Sequence, residues 1–224
     1  HGAETLGVSV SNFLEQLKDA GLSTLPGTAA EILTDEVRAL ICPDKLNSEQ
    51  WLSGVEEAHK LDLPTTATIM FGHVDTYHDW AIHLQKLLKL QLKTGGLTEF
   101  VPLSFVAEEA PIYKRGLSRS GPTLRESILM HAVSRLVLHP HVKNIQASWV
   151  KMGLEGVNLC LHAGANDVGG TLMNESITRA AGAAHGQEMT PQVLEAVIIG
   201  CDRQPRVRRT NYADAAPQVV YQSV

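Results

Sequence analysis

Short β-prone runs alternate with longer helical segments along most of the chain, and this alternation restricts the fold more than any other feature. The β-prone runs are bounded by Gly, Pro, Asn or Asp and cover residues 22–26, 65–72, 99–106, 144–150 and 163–168. Their apolar residues are too continuous for a sheet with one solvated face. We therefore expect strands of a parallel sheet that is buried on both faces.

Helical periodicity is found between these runs, over residues 10–20, 49–61, 78–93, 124–138 and 153–162. In the third segment the residues of one stripe recur at spacings of three and four: Trp80, Leu84, Leu87, Leu88 and Gln91. Capping signals agree with these limits. Asp75 or Thr76 can begin the third helix, Thr123 can begin the fourth, and Gly95 with Gly96 can end the third.

The first four β-prone runs begin about 34 to 45 residues apart, which is the spacing of βα units. This predicts the α/β class and a (βα)8 TIM-type barrel, of which a complete copy needs about 250 residues. The chain has 224 residues and begins with His1 rather than Met. We expect the C-terminal five βα units over residues 1–201, in a fragment of a longer protein, followed by an extended, partly ordered tail over 202–224.

Composition limits the partners that the chain can have. The formal charge of -5 gives no basic surface for nucleic acid, and no apolar run approaches the ~20 residues of a membrane span. The three cysteines, Cys42, Cys160 and Cys201, lie far apart, unlike those of a disulfide scaffold or a zinc module. We expect buried, reduced thiols in a soluble cytoplasmic protein whose partner is a small molecule.

In barrels of this class the active site gathers at the carboxyl ends of the strands. After the first predicted strand, Gly27 permits close approach of a ligand and Glu31 supplies a carboxylate; a loop glycine and a solvated glutamate are the alternative. After the second come His73, Asp75 and His78. These three are metal ligands, a base with its orienting acid, or a cap with two surface histidines.

Polar residues also accompany the last two predicted strands. Gln146 and Ser148 are two residues apart and therefore lie on one face of the fourth strand, which suggests side chains directed into a barrel lumen. Asn166 and Asp167 precede Gly169 and Gly170 at the end of the fifth. This pattern is compatible with a loop that binds a phosphate, a ribose or a carboxylate. The pattern alone leaves the chemistry open.

Several segments are more specific than any pattern of periodicity: residues 25–33 (LPGTAAEIL), 41–45 (ICPDK), 64–74 (PTTATIMFGHV), 94–103 (TGGLTEFVPL) and 164–172 (GANDVGGTL). In sequence they resemble the tyrosine-using FO synthase family of radical S-adenosylmethionine enzymes. The related radical enzymes of the futalosine route to menaquinone share the regions of His73 and of Gly95 with Gly96. The versions at 25–33 and 164–172 favour the deazaflavin branch.

The resemblance implies a CxxxCxxC loop that binds a [4Fe-4S] cluster, and S-adenosylmethionine on the open iron. A radical from that cofactor would break the Cα–Cβ bond of tyrosine. The 4-hydroxybenzyl group would then join 5-amino-6-(D-ribitylamino)uracil, and a ring-closing partner domain or subunit would complete the deazaflavin. The three cysteines do not have the required spacing, so the cluster ligands are expected in a missing N-terminal part.

The resemblance also assigns expected roles. Gly27, Thr28 and Glu31 would lie on the S-adenosylmethionine side, and His73 and Asp75 would act at the mouth of the barrel. Gln146, Ser148, Asn166 and Asp167 would contact the substrate. Two further hypotheses remain: a non-catalytic binding module derived from a barrel, and a metal-dependent hydrolase built on His73, Asp75 and His78.

Overall fold

A computed structural model describes the chain except for Ala29 and residues 173–175, 183–187 and 213–224. The described residues form an α/β fold around four parallel strands that pair in chain order. The strands are β1 (Thr65–Phe71), β2 (Leu97–Ser104), β3 (Asn144–Ala147) and β4 (Asp167–Val168). The described helices are α1 (Gly2–Leu6), α2 (Val10–Asp19), α3 (Asp35–Ile41), α4 (Ser48–Lys60), α5 (Tyr77–Thr94), α6 (Pro111–Lys114), α7 (Leu124–Leu138), α8 (Trp149–His162), α9 (Ile177–Ala180) and α10 (Pro191–Gly200).

One face of the sheet carries the main hydrophobic core. Alternate residues of β1, ending at Phe71, pack with the apolar stripe of α5, which includes Trp80 and Leu84. The rings of Phe71 and Trp80 meet edge to face at 5.3 Å between centroids. Phe100 of β2 and Met130 of α7 extend the same cluster. We call the opposite side of the sheet the inner face.

A second core lies beyond β3, where Trp149 and Cys160 of α8 pack with residues of α10. The helix α8 is interrupted at Gly153, whose φ of 65° and ψ of -179° are not helical. Gly153 therefore separates a short first turn from the longer second part of the helix.

Capping residues begin the two long helices as expected. Thr76 and Thr123 each accept a hydrogen bond from the third residue of the helix, and each forms a complete capping box. Gly95 ends α5 with a φ of 69°, in the left-handed region that glycine tolerates. The predicted limits of these two helices are confirmed within one residue.

The second and third predicted strands are present as β1 and β2, but the first predicted strand is wrong. In that run only Leu25 forms an isolated parallel bridge, with Thr65. Pro26 has no N–H to donate, and Gly27 bonds to side chains of β1 rather than to its backbone. Residues 25–28, 30 and 31 still form an edge segment beside β1, because Met70 N donates to Glu31 O at 2.7 Å.

The last two predicted strands are shorter than expected. The run 144–150 stops at Ala147, because Ser148 O accepts from the N–H groups of the following turn and Trp149 begins α8. In the run 163–168, residues 163–165 finish the carboxyl-terminal turn of α8 and only Asp167 and Val168 pair with β3. Local helical hydrogen bonds compete with strand pairing at both places.

Some described helices were absent from the prediction, notably α3 and α10. The signal for α10 was present, since Thr190 caps it and Pro191 occupies its first turn. Residues 202–212 form no long element, and 213–224 lie outside the described residues. The division at residue 201 and the extended tail stay predictions. No helix among the described residues is long and apolar enough to cross a membrane.

Replacing Gly96 with alanine should lower the free energy of unfolding by about 1–3 kcal/mol, because the new methyl group would overlap the ring of His59. That ring is held at 2.6 Å from Thr94 Oγ1 and 2.9 Å from Thr65 Oγ1. Urea unfolding measures the change. The control is Gly54→Ala within α4, where a Cβ meets no atom within 4 Å and a gain of about 0.5–1 kcal/mol is expected. Equal losses for the two variants would contradict the packing argument.

His83 makes the stability depend on pH, because it is fully buried and burial lowers its pKa to about 3. An unfolded chain titrates near pH ~6.5, so neutral His83 contributes stability above that pH, and the contribution is lost as the pH falls toward 3. His83→Gln should therefore reduce the loss of unfolding free energy between pH 7 and pH 5 by about 2 kcal/mol. The exposed His78 supplies the control, His78→Gln. A pH dependence that is the same in both variants would refute the assignment.

Candidate functional site

The loop after β1 is held by the carboxylate of Asp75. This carboxylate accepts the backbone N–H of Gly72 at 2.9 Å and that of His73 at 2.6 Å, and it also accepts Nε1–H of Trp80. The side chain is fully buried. Asp75 thus fixes the backbone at the carboxyl end of β1 and joins it to α5.

His73 lies beside Asp75 but is turned back into the protein. Its Nε2 is 3.0 Å from Met70 O, and its Nδ1 accepts Val74 N–H at 2.8 Å. The same Nδ1 lies 3.1 Å from Asp75 Oδ1, so the ring is held between the carboxylate and the Met70 carbonyl. Burial lowers the pKa of His73, while the nearby carboxylates of Asp75 and Glu31 oppose the shift. His73 is therefore neutral at pH 7 and its side chain has no exposed surface.

The segment before α7 covers this loop. Arg119 N donates to His73 O at 3.1 Å, and a Cβ at Gly72 would overlap Pro122. The guanidinium of Arg119 binds Glu126 Oε1 at 2.6 Å. Sequence reasoning missed Arg119, because an arginine in a polar loop carries no pattern of its own.

A depression of about 360 Å³ opens beside the same loop. Its lining combines one cation with two carboxylates and comes from Asp75, Thr76, Tyr77, Arg119 and Glu126. Thus the carboxyl end of β1 meets solvent through charged groups, while His73 stays beneath the surface.

The predicted cofactor residues lie in the edge segment beside β1. Gly27 lies against β1, where a Cβ would overlap the backbone of Thr66 and Ala67, so its lack of a side chain already serves strand packing. Thr28 is exposed. Glu31 binds Lys45 at 2.6 Å and has a φ of 46°. Strained backbone of this kind is concentrated at functional sites.

Gln146 and Asp167 are neighbours on the inner face of the sheet. They pair across β3 and β4, and Gln146 Nε2 donates to Glu99 Oε2 on β2 at 3.1 Å. Residues from beyond α10 reach this group: Arg208 Nε binds Asp167 Oδ2 at 2.6 Å, and the hydroxyl of Tyr212 contacts both carboxylates. We call these five residues the inner-face cluster.

Glu99, Arg208 and Tyr212 were not among the predicted site residues. Burial raises the pKa of Glu99, and Asp167 adds to the shift while Tyr212 and Arg208 oppose it. A charged residue within an apolar strand run was the available signal for Glu99. No local pattern could have placed Tyr212 against a strand more than a hundred positions earlier.

The remaining predicted substrate residues lie elsewhere. Ser148 is buried at the carboxyl end of β3, next to the start of α8. Asn166 accepts Ile145 N–H at 2.9 Å and Arg135 Nη2–H at 2.6 Å through the same oxygen, so it holds the start of β4 to β3 and α7. Trp149 Nε1 donates to Gly170 O at 3.0 Å and fixes the glycine loop after β4.

The residues present do not fit an iron–sulfur cluster. Cys42, Cys160 and Cys201 are free and buried, as expected, and they have separate surroundings: Cys160 Sγ is 3.3 Å from His131 Nδ1, and Cys201 Sγ accepts from Asn158. Burial raises the pKa of Cys160 to about 12. Over the described ranges no three His, Cys, Asp or Glu side chains are grouped as metal ligands. Of the three residues considered as metal ligands after β1, which are His73, Asp75 and His78, His78 is exposed.

Comparison with known proteins gives one family. A family model described as the CofH/MqnC C-terminal region matches residues 94–219. A protein of Methanopyrus kandleri named 5-amino-6-(D-ribitylamino)uracil--L-tyrosine 4-hydroxyphenyl transferase is 48% identical over 94% of this chain and 57% of its own length. The protein of the same name in Methanocaldococcus jannaschii is also 48% identical, over 94% of this chain and 59% of its length.

A longer relative, named FO synthase, comes from Streptomyces coelicolor. It is 46% identical over 95% of this chain but only 24% of its own length. These comparisons confirm the resemblance that the sequence suggested. The chain spans less than two thirds of the curated relatives that it matches.

Asp75→Asn should lower the free energy of unfolding by about 2–4 kcal/mol, because an amide must direct an N–H group against one of the N–H donors that the carboxylate now accepts. Urea unfolding at pH 7 measures the change. Asp62→Asn is the matched control, since Asp62 is exposed and its φ of 55° suits asparagine equally well. Unchanged stability in Asp75→Asn would exclude the holding role.

Proposed function

Because the chain belongs to the family described as the CofH/MqnC C-terminal region, we propose that it is the substrate-side part of a radical S-adenosylmethionine transferase. The enzyme transfers the 4-hydroxybenzyl group of tyrosine to 5-amino-6-(D-ribitylamino)uracil in deazaflavin synthesis. The observation that carries the proposal is the 48% identity to the named transferases over 94% of the chain. Because the matches cover 94% of the chain, they include the strands and their loops.

The parallel sheet supports a barrel. In a closed barrel the edge segment (residues 25–28, 30 and 31) and β4 would each face further strands, and the inner face would become part of the lumen. The longer relatives have the chain length for those strands, since this chain covers 57% and 59% of them. The described part thus corresponds to the back units of a (βα)8 fold.

The inner face and the carboxyl end of β3 supply the substrate groups in this proposal. Gln146, Ser148 and Asp167 offer amide, hydroxyl and carboxylate groups that match the ring N–H groups and ribityl hydroxyls of the uracil compound. Asn166 contributes indirectly, because its oxygen already accepts two protein donors. His73 and Asp75 act at the mouth, with Asp75 holding the loop and His73 neutral beside it.

Glu31 and Thr28 are the groups proposed to hold S-adenosylmethionine, with Gly27 setting the path of the backbone. A hydroxyl and a partly buried carboxylate fit the ribose and amino groups of that cofactor. When bound, the cofactor and its [4Fe-4S] cluster would supply the one-electron chemistry that removes the aromatic side chain of tyrosine. The cluster ligands belong to the part of the parent protein outside this chain.

A second candidate follows from the family description, which also carries the name MqnC. It is the related radical enzyme of the futalosine route to menaquinone. A non-catalytic barrel-derived module is the third reading, and it would bind the uracil compound without turnover. Completion of the deazaflavin would need a ring-closing domain or subunit, and the length of the relative named FO synthase leaves room for one.

The full-length protein, reconstituted anaerobically with iron, sulfide and S-adenosylmethionine, should convert tyrosine and 5-amino-6-(D-ribitylamino)uracil to their coupled product, which mass spectrometry detects. Gln146→Leu should lower kcat/KM about tenfold or more, through a higher KM for the uracil compound. Gln85→Leu, on the exposed side of α5, is the matched control.

Turnover of a futalosine-pathway substrate instead of this pair would favour the second candidate. Binding of the uracil compound without any product would favour the third. Neither binding nor turnover would reject the proposal.

A further inference from the structure

We infer that Arg208 and Tyr212 are positioning residues, which fix the amide of Gln146 so that its carbonyl oxygen is the hydrogen-bond acceptor offered to the substrate. The inference rests on the proposed function for the identity of that substrate. It adds two residues from beyond the last described helix to a site otherwise built from strands.

The orientation of Gln146 is defined by its partner. Gln146 Nε2 donates to Glu99 Oε2 at 3.1 Å, so the carbonyl oxygen points the other way. That oxygen lies 3.5 Å from where a Cβ of Gly169 would be, and Gly169 follows the carboxyl end of β4. No donor within the described ranges binds this oxygen, and the Gln146 side chain is only partly buried. Gln146 therefore offers an acceptor toward the mouth.

Glu99 can hold the amide only while its oxygen remains an acceptor on the side of Gln146. Arg208 Nη2 lies 3.2 Å from the same Oε2, and the Tyr212 hydroxyl contacts it as well. A hydroxyl has one hydrogen, yet Tyr212 contacts carboxylate oxygens of both Glu99 and Asp167. When that hydrogen is donated to Asp167, the two lone pairs of Glu99 Oε2 accept from Arg208 and Gln146.

Removing the two tail residues would release that constraint. Glu99 and Asp167 would lose their cation, and like charges at close range favour protonation of one of them. A protonated Glu99 without Tyr212 can turn its O–H to the carbonyl oxygen of Gln146. The amide would then reverse and offer N–H groups to the mouth. Because the carbonyl oxygen would no longer face the ligand, the preference for a ligand with ring N–H donors would be lost.

The two tail residues are attached to the fold independently of any ligand. The guanidinium of Arg208 lies 4.2 Å from the centre of the Tyr212 ring, so the two side chains support each other. Arg203, nearer to α10, donates to Ala165 O and Leu161 O at 3.0 and 2.6 Å. The family match also extends through this segment, to residue 219.

The test measures equilibrium binding of two compounds to the full-length protein under anaerobic conditions, without turnover. The compounds are 5-amino-6-(D-ribitylamino)uracil and its analogue methylated on both ring nitrogens. The wild type should bind the parent compound at least about tenfold more tightly than the analogue. In the double variant Arg208→Gln with Tyr212→Phe this ratio should fall close to one, with weaker binding of the parent compound. The control Arg209→Gln changes an exposed neighbour and should keep the wild-type ratio.

The outcomes separate the inference from the proposed function. Wild-type binding with an unchanged ratio in the double variant would overturn the inference and leave the function standing. Equal weakening of both compounds would indicate a purely structural role and would also overturn it. Failure of the wild type to bind the parent compound would overturn both. If that double variant does not fold, Arg208→Met with Tyr212→Phe, which keeps more of the apolar packing, decides in its place.

Discussion

The parallel hydrogen bonds between β1 and β2 run from the pair Thr65–Leu97 to the pair Phe71–Ser104, and they set the position of the proposed functional groups. Parallel pairing brings the carboxyl ends of successive strands to one edge. The loop of His73 and Asp75 therefore lies at the same edge of the sheet as Ser148 and Gly169, where the strands have their carboxyl ends. The inner-face cluster extends from Glu99, near the amino end of β2, to Gln146, the next-to-last residue of β3.

Polar groups within this framework are satisfied by partners that also join separate elements. Asp75 links the loop after β1 to α5 through Trp80, and Arg119 links the covering segment to α7 through Glu126. The carboxylates of the inner face bind Arg208 and Tyr212. Because an unpaired buried charge is costly, these contacts hold the loops in place as much as they define a binding surface.

The sequence predicted the parts of the fold that local patterns control. The stripe from Trp80 to Gln91 and the capping residues Thr76 and Thr123 gave α5 and α7 within a residue. The strand limits were less predictable. Ser148 and Ala163 lie where helical hydrogen bonds compete with strand pairing, and the edge segment at Pro26 is held by side chains rather than by a backbone ladder.

The site residues also divide into those that a local pattern predicted and those that it could not. Gln146 and Asp167 were found because polar residues at strand positions are conspicuous, and they are neighbours in space. Asn166 has an equally conspicuous pattern, yet its oxygen binds Arg135 and Ile145 N–H. The contacts of Glu99 with Arg208 and Tyr212 join residues more than a hundred positions apart. No periodicity or motif in one sequence encodes a contact of that kind.

We propose that the inner face and the carboxyl ends of β3 and β4 receive the uracil compound. The decisive measurement is hydrogen–deuterium exchange of the full-length protein with and without 5-amino-6-(D-ribitylamino)uracil. We expect slower exchange on binding at residues 146–150 and 167–172 and in the segment 203–212, with exchange in the outer helices α5 and α7 unchanged. Protection confined to those outer helices, or no protection at β3 and β4 despite binding, would contradict it.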